Sequence, residues 1–129
     1  MVCRGCFAKK KDLEIPINKL EEEKDEKKIW RQTVNKELQS KYQKIFSLID
    51  RLIFLKVPSF KYVYKWRLLQ EKKLRVKSKG HKIMSDRQIK NFIMYYERLT
   101  KNMLKILPKK ANTVINIDKN HRLKSIKFN

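Results

Sequence analysis

The apolar positions of this chain follow two periods, and their order predicts a mixed α/β fold. A first helical stripe, with spacings of three and four residues, consists of Trp30, Val34, Leu38, Tyr42, Ile45, Phe46 and Ile49. A second and clearer stripe consists of Ile89, Phe92, Ile93, Tyr96, Leu99, Met103, Leu104 and Leu107. Ser85 and Gln88 form a capping box that predicts the start of this second helix, and Pro108 predicts its end.

Strands are predicted where apolar residues run together or alternate with polar ones. Residues 52–55 form a continuous apolar run close to Pro58, which favours a short strand buried on both faces. Residues 114–117 predict a second strand, 118–121 a turn, and 123–128 an alternating strand. A helix that leads into a buried strand and is followed by another helix is typical of a parallel sheet. We therefore predict an α/β fold with flanking helices.

No Gly/Ser-rich linker or repeat divides the chain, so we predict a single unit made of four segments. These are a loop and charged lead-in at 1–28, a helix and buried strand at 29–58, two helices at 59–107, and the last strands at 112–128. Residues 13–29 carry six of the 13 acidic side chains and no apolar stripe, which indicates a segment on the surface.

The charge balance is strongly basic, with 34 Lys and Arg against 13 Asp and Glu and a formal net charge of +21. Such a charge attracts polyanions, including nucleic acid, acidic membranes and phosphorylated metabolites. The lysines are spread along the whole chain, however, which favours an ordinary solvated surface. Residues 1–7 are too short for the apolar core of a signal peptide, and no stretch is long enough to span a bilayer. We expect a soluble cytoplasmic protein.

Two cysteines, Cys3 and Cys6, have the spacing of half a zinc site or of a thiol-disulfide centre. Zinc would need two more ligands, and His81 and His121 lie too far apart for the usual paired spacing. We therefore expect two reduced thiols and no metal site.

The helix predicted at 60–75 carries more polar groups than packing requires. Arg67, Glu71 and Arg75 share one of its faces, and Gln70 lies beside them. A glutamate between two arginines can hold guanidinium groups in position to bind phosphate oxygens. Spacing alone favours the simpler alternative, an exposed ladder of salt bridges.

Several sequence blocks in the right order carry a family resemblance. Residues 49–75 read IDRLIFLKVPSFKYVYKWRLLQEKKLR, and shorter blocks read INKLE at 17–21, MSD at 84–86 and YERLT at 96–100. Cys3-Arg4-Gly5 is similar to a further family stretch, E-G-W-C-x-G. Together these blocks resemble the C-terminal part of the glycerate kinase-like (D-glycerate 3-kinase) P-loop kinases, over nearly the whole chain. The resemblance implies the C-terminal half of a P-loop kinase-type parallel sheet with flanking helices.

The resemblance also implies a reaction, namely phosphoryl transfer from ATP, with Mg²⁺, to D-glycerate or a similar small hydroxy acid. On the lid side of such a site, the candidate phosphate- or substrate-binding residues are Arg67, Gln70, Glu71 and Arg75. Arg87 and Arg98 are weaker candidates, since an arginine on a helix usually lies at the surface.

The chain departs from the family in one respect that bears on activity. It contains no G-x-x-x-x-G-K-[ST] motif, and its two glycines, Gly5 and Gly80, could not build one. Without a phosphate-binding loop, most of the positioning and charge stabilisation of phosphoryl transfer is missing. We therefore expect no catalysis, and no ATP or Mg²⁺ binding, from this chain alone. A separate P-loop-containing half is the expected partner, unless the chain is the product of a truncated or split reading frame.

A different class of function stays open at this point. A small basic module could bind RNA or DNA, with Tyr62, Tyr64 and Trp66 as platforms for base stacking. This alternative predicts tight binding to a short oligonucleotide that weakens steeply with salt. The kinase interpretation predicts negligible binding at physiological salt.

Overall fold

The computed structural model describes residues 7–77 and 83–129. Cys3, Cys6, Gly80 and His81, on which some predictions rest, lie outside the described residues. The helices are α1 (Lys19–Lys24), α2 (Ile29–Gln39), α3 (Lys41–Phe46), α4 (Phe60–Lys77) and α5 (Asp86–Ile106). The strands are β1 (Ile53–Lys56), β2 (Thr113–Ile117) and β3 (Leu123–Phe128), and two short 3-10 helices span Lys10–Leu13 and Leu107–Lys109. In the described part of the chain, no helix is long and apolar enough to cross a bilayer.

The three strands form one sheet in the order β1-β2-β3, and β2 is the central strand. β1 and β2 are parallel, with Phe54 opposite Val114. β2 and β3 are antiparallel and form a hairpin, with Ile115 opposite Ile126. The predicted α/β class is thus confirmed, and the hairpin adds an antiparallel strand to the parallel pair.

One face of the sheet packs on the end of α5. The buried core there contains Phe54, Leu107, Ala111 and Val114. Met103 and Leu104 of α5, together with Phe46 and Leu52, pack partly buried against this cluster. The alternation of side chains in a strand places Phe54 and Val114 on the same face, so the two strands contribute one residue each to the core.

The prediction that the first strand is buried on both faces is wrong. Phe54 is buried, but its neighbours Ile53 and Leu55 are 62% and 60% exposed. Successive side chains of a strand point to opposite faces, so Ile53 and Leu55 lie opposite the core. In the described part of the chain, this second face of β1 is therefore largely exposed to solvent.

The prediction that residues 13–29 lie on the surface is also wrong at three positions. Leu13, Glu21 and Asp25 are buried, and Glu21 is completely inaccessible. Both acids are paired with arginines from later helices: Glu21 with Arg98 and Asp25 with Arg31. An apolar stripe is therefore not required for burial here, because ion pairs compensate for the charge of each carboxylate.

The buried Asp25 also begins α2. Its carboxylate accepts hydrogen bonds from the backbone N–H groups of Trp30 (2.8 Å) and Arg31 (3.1 Å), which would otherwise lack partners at a helix start. The Arg31 guanidinium donates in turn to Asp25 Oδ2 at 2.9 Å and to the Leu13 carbonyl at 2.7 Å. This pair therefore joins the N-terminal segment to the helical layer.

The first helical stripe is divided between two helices. α2 and α3 meet at Ser40, whose hydroxyl donates to the Lys36 carbonyl at 2.8 Å and competes with the helical hydrogen bonds. The stripe that predicted one helix is therefore interrupted at Ser40. The capping box of α5 is confirmed, with Ser85 N–H donating to Gln88 Oε1 and Gln88 N–H to the Ser85 hydroxyl.

Asp118 organises the turn between β2 and β3. Backbone N–H groups of Arg122 (2.9 Å) and Asn120 (2.8 Å) donate to its carboxylate, and these bonds lower the pKa of Asp118 from the ordinary value of 3.8, Arg122 contributing most.

We expect the hairpin to loosen in acid for this reason. A lowered pKa means that the contribution of Asp118 to stability is complete above pH 3.8 and is lost as the pH falls through the folded-state pKa. A carbon-detected NMR titration of the Asp118 carboxyl group should give a pKa below 3.8, and Asp118→Asn should abolish the accompanying shift of the Arg122 amide. A pKa at or above that value would contradict the role of the turn hydrogen bonds.

Candidate functional site

The helix α4 lies beside the carboxyl edge of the parallel strands. β1 ends at Lys56 and α4 begins at Phe60, so only three residues separate the strand from the helix. The turn that follows β2 also reaches α4, since the rings of His121 and Trp66 lie 3.7 Å apart between centroids. In open α/β sheets, ligands bind outside the carboxyl ends of the strands. α4 therefore occupies the position from which side chains reach a ligand in this architecture.

The structure brings the four predicted site residues into one cluster on the second half of α4. We refer to Arg67, Gln70, Glu71 and Arg75 as the α4 cluster. Arg67 Nη1 donates to Gln70 Oε1 at 2.7 Å, and Arg67 Nη2 lies 3.1 Å from Glu71 Oε2. The second contact lacks the angle of a hydrogen bond, but the electrostatic attraction depends on distance and remains.

Two members of the α4 cluster also bind the start of α5. Glu71 Oε1 accepts the backbone N–H of Met84 at 2.8 Å. Arg75 Nη2 donates to the Met84 carbonyl at 2.6 Å and to Asp86 Oδ1 at 2.9 Å. The backbone of Met84, just before α5, is therefore attached to α4 through both its N–H group and its carbonyl oxygen. Arg75 therefore uses its Nη2 group for contacts within the protein.

The exposed salt-bridge ladder that spacing favoured does not describe this geometry. Glu71 is only 2% exposed, whereas an exposed ladder would leave its carboxylate in water. A buried carboxylate holds Arg67 in place, and the Arg67 side chain keeps 28% of its surface exposed beside the ring of Phe92. Within the described chain, Arg67 Nε is buried and has no hydrogen-bond partner, so it does not face a ligand from outside. The hydrogen bond and the ion pair of Arg67 both stay within α4, and its partly exposed guanidinium can donate to a phosphate oxygen.

The two weaker candidates lie elsewhere. Arg87 is exposed on the first turn of α5. Arg98 belongs to the buried pair with Glu21, and it also donates to the carbonyls of Asp12 and Ile15. Every one of these Arg98 partners lies in the N-terminal segment, so its contacts are those of a structural residue that attaches this segment to α5.

A groove that the sequence did not reveal lies between α4 and the β2–β3 turn. It is open to solvent, has a volume of about 360 Å³, and is lined by Lys65, Trp66, Leu69, Lys119, Asn120 and His121. Trp66 also contacts Tyr62, with ring centroids 6.2 Å apart. The stacking platforms proposed for nucleic acid are thus used partly within the protein, and Tyr64 is half-buried. In the sequence, the signal that could have indicated this groove is the position of Lys65 beside Trp66 and of Lys119 close to His121.

The described residues fit part of the chemistry that a nucleotide kinase needs. The Arg67 side chain is 28% exposed, and among residues 7–77 and 83–129 no group of three or more His, Cys, Asp or Glu could hold a metal ion. A Mg²⁺ ion is usually held by one or two carboxylates together with substrate phosphates.

A scan against protein-family models finds no match. Among curated proteins, the chain is 44% identical over 63 residues to the uncharacterized kinase mug58 of Schizosaccharomyces pombe. The match covers 49% of this chain and 22% of the relative, so the chain spans less than a quarter of that protein.

Two solved structures share the fold. A D-glycerate 3-kinase from Cryptococcus neoformans var. grubii superposes with a TM-score of 0.66 and 20% identity, covering 76% of this chain and 35% of that one. The YGR205w protein superposes with a TM-score of 0.59 and 24% identity, covering 87% of this chain and 42% of that one. At such identities the likeness establishes the fold, and this chain matches less than half of each of the two proteins.

Proposed function

We propose that this chain, which has the fold of part of the glycerate kinase-like kinases, forms the lid-side portion of an ATP-dependent small-molecule kinase. The acceptor in this proposal is D-glycerate or a similar small hydroxy acid. One observation carries it: a buried glutamate, Glu71, orients the partly exposed guanidinium of Arg67 on the helix that follows a parallel strand.

The relatives support the same reaction class. The curated relative is a kinase by name, and the solved relative with the higher TM-score is a D-glycerate 3-kinase. Both small hydroxy acids and phosphoryl groups are anionic, and the net charge of +21 favours the approach of anions. A nucleic-acid module draws on the same charge but has no support among these relatives.

Each residue of the α4 cluster has a distinct part in the proposal. Arg67 donates to a phosphate oxygen and neutralises charge as the phosphoryl group moves. Glu71 and Gln70 fix the plane of the Arg67 guanidinium, and they act as positioning residues. Arg75 acts one step further away, since it holds the segment from Met84 to Asp86 against α4.

This chain provides no glycine-rich loop for the phosphates, so we propose that it turns over only with a P-loop-containing half. That half would supply the cradle for the ATP phosphates and the ligands of Mg²⁺. Whether it is joined to this chain or separate does not alter the chemistry, because both arrangements place the same groups around the phosphate.

The test is a kinase assay of two samples. One is the chain alone, and the other is the chain combined with the part of the Cryptococcus D-glycerate 3-kinase that this chain does not match. We expect no ADP release from ATP and glycerate by the chain alone, and phosphorylated glycerate from the assembled pair. Turnover by the chain alone that Arg67→Ala abolishes would contradict the need for a P-loop half. An assembled pair that binds ATP but leaves glycerate unmodified would contradict the proposed acceptor.

A further inference from the structure

An apolar sheet face lies opposite the core. The pairing registers place Leu55 opposite Ile115 and Ile115 opposite Ile126, while Ile53 and Phe128 both face Thr113. Side chains opposite one another in a sheet share a face, so these residues form one surface. We call it the open face, and it consists of Ile53, Leu55, Ile115, Ile126 and Phe128.

The open face is exposed to an unusual degree for such residues. Ile53, Leu55 and Phe128 are 62%, 60% and 77% exposed, and Ile126 is 48% exposed. Parallel strands occur almost entirely in sheets that are covered on both faces. A contiguous group of large apolar side chains in water is typical of a surface that another protein segment covers. The exposure of these side chains therefore indicates that another protein segment covers the open face.

The outer edge of β1 is unpaired within the described residues, because β1 forms the end of the sheet. The strand reads Ile-Phe-Leu-Lys, so three of its four residues are apolar and Lys56 is its one charged residue. The opposite edge carries more charge, since β3 has Lys124 and Lys127 among its six residues. Lysines on an edge strand disfavour further pairing, so the β1 edge is the more favourable of the two for a further strand.

We propose that the open face and the free edge of β1 form the docking surface for the P-loop-containing half. A strand of that half pairs with β1, and an apolar helix of it covers Leu55 and its neighbours. This inference rests on the proposed function for the identity of the partner.

Two observations favour this occupant. The chain corresponds to only 35% of the D-glycerate 3-kinase chain and 42% of the YGR205w chain, so each of those proteins continues beyond the part matched here. A second copy is disfavoured as an alternative, since each copy carries a net charge of +21 and two copies repel each other. A partner segment with fewer positive charges meets no such repulsion.

Site-specific photo-crosslinking in the cells from which the chain derives tests the proposal. p-Benzoylphenylalanine replaces Leu55 or Phe128 on the open face, and in matched controls it replaces Ile15 or Val76. The control positions are equally accessible, at 72% and 89% exposure, but lie outside the sheet. We expect Leu55 and Phe128 to crosslink at least tenfold more efficiently than the controls, to a peptide from a polypeptide that contains G-x-x-x-x-G-K-[ST].

Three results would overturn the inference. They are crosslinks from the open face to a second copy of this chain, crosslinks to a protein without the P-loop motif, and equal yields from open-face and control positions.

Sedimentation of the purified chain provides an independent measurement. We expect a monomer at physiological salt, and a dimer that Leu55→Lys dissociates would assign the open face to self-association.

The docking surface and the proposed reaction can fail separately. A P-loop protein that crosslinks to Leu55 but leaves glycerate unmodified would preserve the docking surface and contradict the proposed acceptor. A P-loop half that restores glycerate phosphorylation without crosslinking to Leu55 would preserve the function and contradict the docking surface.

Discussion

Replacing Arg67 with alanine should lower kcat/KM of the assembled kinase about 10²- to 10³-fold, the usual cost of removing one donor to the charge that develops in a transition state. Arg67 is held by Glu71 and Gln70 while its side chain stays 28% exposed, so its guanidinium is positioned before a ligand arrives. Most of the loss should appear in kcat, because the contact strengthens as the phosphoryl group moves.

Two matched variants separate this role from a structural one. Lys72→Ala removes an exposed cation from the same helix and should change kcat/KM by less than about twofold, since a distant surface charge is strongly screened. Arg67→Lys keeps the charge but loses the planar fork, and we expect an intermediate activity. Equal losses in Arg67→Ala and Lys72→Ala would assign the effect to overall charge. A fall in Tm that accounts for the lost activity would assign it to folding.

Replacing Glu21 with alanine should destabilise the chain by about 3 to 5 kcal/mol, the usual range when one partner of a buried ion pair is removed. Glu21 is fully buried, and its carboxylate accepts from Arg98 Nε at 2.8 Å and from Arg98 Nη2 at 2.5 Å. It also accepts the backbone N–H of Ile17 at 3.1 Å. Removing it leaves a guanidinium buried without its counter-charge.

Urea unfolding followed by circular dichroism measures this effect. Glu22→Ala is the matched control, because Glu22 is the next residue of the same helix but is exposed, and a change within about 0.5 kcal/mol is expected. Adding Arg98→Met to Glu21→Ala should restore part of the lost stability, since the double variant no longer buries an unpaired charge. Strictly additive losses in this cycle would show that the two side chains are not coupled.

Local structure was predictable where it depends on neighbours in the chain. The α5 capping box joins residues three apart, and the predicted bounds 123–128 coincide with β3. The cluster on α4 was also predictable as a group, because residues three and four apart share a helix face. What spacing could not decide was whether this face is exposed, and the burial of Glu71 decided it.

The larger of the remaining errors have one physical cause, namely packing between distant parts of the chain. The pairing of Glu21 with Arg98 spans 77 residues, and it buries part of a charged segment that composition alone assigns to the surface. The break at Ser40 is a smaller error of a different kind, since a hydroxyl that competes for a helical carbonyl leaves the apolar stripe intact.

The sequence by itself determined the α/β order of elements, the capping of α5 and the membership of the α4 cluster, because these follow from periodicity and short-range hydrogen bonds. Only the tertiary structure decided which face of β1 meets the core and which charges are buried. Burial depends on what packs against a residue, and for β1 the covering layer on one face comes from α5 and the segment after it. On the second face, Ile53 and Leu55 stay 62% and 60% exposed in the described part of the chain.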